Sequence, residues 1–93
     1  MAKNIQVVRT HSLPPDDARA RLDALAGELE QKYGLRFSPW AGNQREGKRT
    51  GARGKVTVEA TRVTVDVEVS SLIPIPESKI RASIEKRLDA ALG

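Results

Sequence analysis

The sequence contains no cysteine, a single histidine, and one residue each of tryptophan, tyrosine and phenylalanine. Without cysteine, neither a disulfide framework nor a zinc-finger ligand set can form. Stability must come from packing, and the composition fits a reducing cytoplasm. One histidine among scattered acids supplies no ligand cluster, so no metal and no cofactor is expected. The glycines of GNQREGKRTGARG lack the spacing and the Lys-Ser/Thr ending of a phosphate-binding loop. No apolar run approaches the roughly 18 residues of a membrane span, and MAKNIQVVRTHSLPP has no long apolar stretch before Arg9-Thr10-His11. The expectation is a soluble, cytoplasmic protein that is neither exported nor membrane-spanning. Its 93 residues make one domain, 1–93, near the small end of what folds unaided, hiding only about two thirds of the surface of the unfolded chain.

What is present is patterned. The whole net charge of +4 lies in residues 44–55, QREGKRTGARGK, where Arg45, Lys48, Arg49, Arg53 and Lys55 face only Glu46. The rest of the chain is balanced. Such a concentrated patch can bind phosphate or another anionic surface in a salt-dependent way, whereas evenly spread charge serves solubility.

Ile5 to Val8 is a short run of β-formers and reads as a first strand. From Pro14 the period changes, and Ala18, Leu22, Leu25, Ala26, Leu29 and Tyr33 recur at the three- and four-residue spacing of an amphipathic helix. Ser12 or the Pro14-Pro15 pair starts it, Asp16 and Asp17 suit its first turn, Lys32 its last, and Gly34 ends it. Leu35 to Trp40 reads as a short strand in which Pro39 disfavours an interior position. Residues 41–54, with four glycines and almost no apolar side chain, read as a flexible basic loop. Val56 and Val58, then Val63, Val65, Val67 and Val69, alternate with polar residues across an Ala60-Thr61-Arg62 connection, the mark of an antiparallel sheet covered on one side. Ile80, Ile84, Leu88 and Leu92 form the stripe of a second helix, which Pro76 and Glu77 begin. The prediction is an α+β fold of order β-α-β-β-β-α, an antiparallel sheet with two helices packed on one face.

Catalysis finds little support. His11 and Ser12 with Asp16 or Asp17 do not make a triad, because adjacent strand residues point to opposite faces; they suit a strand-to-helix junction, where they satisfy backbone groups. Asp66 and Glu68 share the wet face of a strand without a pocket. No catalytic residue is assigned, and no enzymatic activity is expected. Trp40, Arg45, Lys48, Arg49, Arg53 and Lys55 are candidate contacts to an anionic partner, through phosphates and one stacked base; the simpler reading is a solvated loop. In SSLIPIP, residues 70–76, Leu72, Ile73 and Ile75 are candidate hydrophobic contacts. They read first as a plug that seals the edge of the core with one of the three left exposed, and second as a foot pressing on a partner. Burying each on a partner gains at most about 1.5–3 kcal/mol against roughly 4–15 kcal/mol for association, so one copy holds weakly and many copies firmly.

These positions resemble those of a family of small bacterial polyhydroxyalkanoic acid system (granule-region) proteins: His11-Ser12-Leu13, Ala18-Arg19, Tyr33-Gly34, Trp40 and Gly42, Gly51-x-x-Gly54, then Ile80, Ile84 and Leu88. The chain departs from the family at NQREGKRT, where relatives tend to have an apolar strand. The resemblance implies a cytoplasmic accessory protein of polyhydroxyalkanoate storage or metabolism, without established enzymatic activity, whose partner is the granule surface or a granule protein. Self-association along an edge strand is a further expectation. The alternative is an RNA- or ribosome-binding module, in which Lys79, Arg81, Lys86 and Arg87 of the last helix join the basic loop.

Overall fold

The computed structural model describes residues 3–72 and 74–92. Within them the chain runs β1 (Lys3–Thr10), α1 (Pro15–Tyr33), β2 (Arg36–Phe37), β3 (Gln44–Arg49), β4 (Ala52–Val58), β5 (Arg62–Val69) and α2 (Glu77–Leu92). The strands form one antiparallel sheet in the order β1-β5-β4-β3-β2. The α+β class is as the hydrophobic pattern predicts. The element order gains one strand, β3, and the strand expected over Leu35–Trp40 shrinks to Arg36–Phe37.

Both helices lie against the same face. Helix α1 begins at Pro15, carries Asp16 and Asp17 in its first turn and stops at Gly34, whose N–H donates to Glu30 O at 3.0 Å. It buries Ala18, Leu22, Leu25, Ala26 and Leu29, while α2 buries Ile80, Ile84 and Leu88. The stripes close over Ile5, Val7, Val56, Val58, Val63, Val65 and Val69, and every buried side chain among the described residues is apolar. Asn4, Gln6, Thr57, Thr64, Asp66 and Glu68, at the alternate positions, make the other face of the sheet polar and open.

The two edges of the sheet are guarded differently. His11 N donates to Thr61 O, in register with the β1–β5 ladder, so odd residues of β1 turn their backbone groups to β5 and even ones turn theirs to the free edge. Two of those outward carbonyls are already engaged. Arg81 of α2 donates to Gln6 O at 3.0 Å, and Arg9 donates to Val8 O at 3.1 Å. Arg9 is itself held by Glu85 and Asp89 at 2.7 and 2.9 Å, bonds that raise the pKa of its guanidinium further above its ordinary value. Charged side chains on an edge discourage pairing with another chain. At the opposite edge β2 is only two residues long and offers little to pair with.

Strand β3 corrects the reading of residues 41–54 as a flexible loop. Thr50-Gly51 is a two-residue hairpin turn between the paired Arg49 and Ala52, and Gly51 takes φ 82°, which favours glycine. Gly47 pairs with Phe37, and the Phe37 ring lies so close that a Cβ on Gly47 would sit 2.8 Å from it. An aromatic ring laid over a glycine thus covers the sheet where β3 has no apolar side chain of its own.

Candidate functional site

Strand alternation divides the basic segment between the two faces of the sheet. Arg45, Gly47 and Arg49 share the face of Phe37 and the helices; Lys48, Arg53 and Lys55 share the open face with Arg36, Glu46, Asp66 and Glu68. The inward arginines are tied to the fold. Arg45 donates to Ser38 O at 2.7 Å and to Asp23 Oδ1 at 2.9 Å, and its guanidinium carbon lies 5.6 Å from the centroid of the Phe37 ring. Trp40 Nε1 donates to the same Asp23 oxygen at 2.7 Å, and its ring packs against the core. One carboxylate on α1 therefore fastens both the segment after β2 and the start of β3. Arg49 donates to Tyr33 O at the end of α1 and to Thr50 O, and pairs with no carboxylate among the described residues.

On the open face, Arg36, Lys48 and Arg53 stand side by side on β2, β3 and β4, and Glu68 ends the row on β5, 3.4 Å from Arg53. In the next row Lys55 stands between Glu46 and Asp66. The six candidate anion contacts are therefore not one surface. The cations of α2 lie over the covered face, next to β1, with Arg81 on the β1 backbone and Arg87 on Glu28 at 2.9 Å. They do not extend the row on the open face.

His11 sits at the strand-to-helix junction. Its Nδ1 accepts from Leu13 N at 3.2 Å, which leaves Nε2 as the donor to Glu59 O at 2.9 Å. Both nitrogens serve backbone groups, as the junction reading predicts.

The connector after β5 divides its apolar residues. Ser70 N donates to Gly51 O at 2.7 Å, which joins the start of the connector to the β3–β4 turn. Leu72 then projects into solvent, 90% exposed. Ile75 turns back against the core, and its carbonyl accepts from Lys3 Nζ at 2.9 Å. Ile73, the third residue of the candidate contact, lies outside the described residues. Of the two described residues, Ile75 thus packs on the core and Leu72 faces solvent. Beside them Ser70, Ser71, Lys48, Arg49 and Arg53 line a shallow depression.

Asp23 and Phe37 are absent from the sequence-derived candidates. Asp23 looks like one more acid on the wet side of α1, and nothing local marks its two partners. Phe37 had a signal, namely an aromatic shortly after the end of a helix with a glycine further along the chain, but a paired glycine is recognisable only once the register is known.

The family model described as putative polyhydroxyalkanoic acid system protein matches residues 5–92. The chain belongs to this family. No curated protein matches it. Among solved structures, the crystal structure of TTHA0849 from Thermus thermophilus is similar at 13% identity, covering 97% of this chain and 94% of that one, with a TM-score of 0.40, a likeness too loose to carry an argument. Within the polyhydroxyalkanoic acid system family, the residues that carry the resemblance now have visible tasks. His11 closes a junction, Gly34 stops α1, Trp40 is fastened to Asp23, Gly51 makes a turn, and Ile80, Ile84 and Leu88 fill the core. These tasks maintain the fold. No helix among the described residues is long and apolar enough to cross a membrane.

Proposed function

We propose that the protein is a non-enzymatic accessory protein of polyhydroxyalkanoate storage in the cytoplasm, attached to granules or to a granule protein through weak, repeated contacts centred on Leu72. The observation that carries this reading is the outward Leu72, 90% exposed on a connector whose next described isoleucine packs half-buried against the core. A leucine on a mobile tail would lose much of its gain to ordering; Ile75, the bond from Lys3 and the two prolines at 74 and 76 limit that loss. Apart from the partly exposed Val8, the open face of the sheet is charged and polar and makes a poor seat for a polyester, and the free edge of β1 carries arginines. Burial of one leucine supplies about 1.5–3 kcal/mol, less than association costs, so a single copy exchanges readily, and lasting retention requires copies joined to one another so that several leucines engage one granule.

Co-sedimentation with isolated granules tests this. The protein is expected to pellet with granules and to remain there in ~0.5 M salt, where the Debye length has fallen to a few ångströms, and after nuclease treatment. Release by salt or nuclease would instead assign attachment to the cations and to nucleic acid.

A further inference from the structure

From the crevice behind the connector we infer a binding site for a short aliphatic acyl group, with its carboxyl oxygens directed to Arg49. The inference rests on the granule reading for the choice of ligand, and on geometry for the site. On the helix-covered face of β4, Val56 and Val58 give way to Gly54 and Ala52 towards the β3–β4 turn, so the floor of the core drops away beneath the end of α1 and the start of α2. A cavity of about 60 Å³ remains there, walled by Leu29, Leu35, Val69, Ile80 and Ile84. Its rim is formed by Tyr33, Ala52, Val67 and Ile75, all partly exposed although they pack on the core. Tyr33 is held in place by its hydroxyl on Ser83 Oγ at 3.0 Å.

An apolar cavity of this size stays dry and takes an alkyl group of about two or three carbons. Arg49 lines the same cavity. Its Nε and Nη1 serve Thr50 O and Tyr33 O, while Nη2 has no partner among the described residues. A free guanidinium N–H beside a dry alkyl slot matches one chemistry: a short hydrocarbon branch beside a carboxylate or ester oxygen. A hydroxyalkanoate unit has that form, with an ethyl or methyl branch and a carboxyl oxygen a few atoms away. It can come from two sources, the free hydroxy acid or an ester unit of the polymer, and Arg49 serves either, by charge or by hydrogen bond. Ile75, on the rim of the slot, belongs to the connector that carries Leu72.

The test is methyl and amide NMR on the full chain, titrated separately with sodium 3-hydroxyvalerate and with methyl 3-hydroxyvalerate. Such small ligands half-saturate in the millimolar range, about 1–20 mM. The expected result is saturable shifts confined to the methyls that line the slot, those of Leu29, Leu35, Val69, Ile75, Ile80 and Ile84 above all. In Ala52→Val, which fills the slot, they weaken at least about tenfold. The wild-type affinities separate the sources, the tighter probe marking the free acid or the ester unit as the ligand, and Arg49→Gln should weaken the acid more than the ester because it removes a charge as well as a hydrogen bond. No shift at these methyls with either probe in the wild-type chain, or shifts unaltered by Ala52→Val in a folded protein, would overturn the site. Granule pelleting is independent of this titration. A chain that pellets without binding either probe loses the crevice and keeps the granule reading; one that binds a probe without pelleting does the reverse.

Discussion

Two segments look alike as gaps between well-patterned elements, the basic stretch 44–55 and the connector 70–76, and the structure treats them in opposite ways. The basic stretch is drawn into the sheet as β3 and the start of β4, and its arginines on the covered face are bound to α1. The connector stays outside the sheet and leaves a leucine in solvent. Charge thus fails to keep a segment out of a fold when alternation, a turn glycine and a helix carboxylate can place each guanidinium. Apolarity, in turn, fails to bury a residue whose backbone is directed outward by a turn. The consequence is that the arginines on the covered face are occupied with the protein's own structure, while the uncharged connector leaves an aliphatic side chain in solvent.

The contrast can be broken first at Gly47. Gly47→Ala places a methyl against the Phe37 ring at 2.8 Å, and an overpacked site of this kind costs about 1–3 kcal/mol, read as a lower denaturation midpoint. In a Phe37→Ala background the same change should cost far less, and equal costs in both backgrounds would remove the ring from the account.

The connector is probed next by comparing its two described aliphatics. Ile75→Ala, in a half-buried wall, should lower stability by about 1–2 kcal/mol, while Leu72→Ser, fully in solvent, should change it by less than about 0.5 kcal/mol. Equal losses in urea melts would mean that Leu72 has a packing partner.

Asp23→Ala should be milder than either core change. It releases Trp40 Nε1 and the Arg45 guanidinium together, for about 1 kcal/mol or less because the carboxylate is half exposed. Tryptophan fluorescence should shift to the red as the indole gains water. An unchanged spectrum would sever the link between α1 and β3.

The division between what could and could not be read in advance follows the same physics. The valine strands and both helices announce themselves because their apolar residues recur at the period of the element, and the predicted stripes are buried except at Tyr33, Val67 and Leu92, which are only partly covered. Strand β3 does not, since its covered-face residues are Arg45, Gly47 and Arg49, and the apolar cover comes from Phe37 on another strand. The local clues, Gly51 at a hairpin position and cations at alternate positions, gain meaning only from pairing with β4. In the connector, composition shows that three aliphatics need a place, and the prolines limit the path; which residue turns in is decided by the turn after β5, beyond the reach of any period. The crevice was equally hidden, being a shortage of side-chain volume at Ala52 and Gly54 that appears only where two helices and a sheet meet.

The most direct test of attachment through the connector compares two variants on isolated granules in ~0.5 M salt. Leu72→Ser should stay in the supernatant, and the pair Lys48→Ala with Arg53→Ala should pellet with the wild-type chain. Retention of Leu72→Ser together with release of the double variant would contradict the account and give the granule contact to the open face of the sheet.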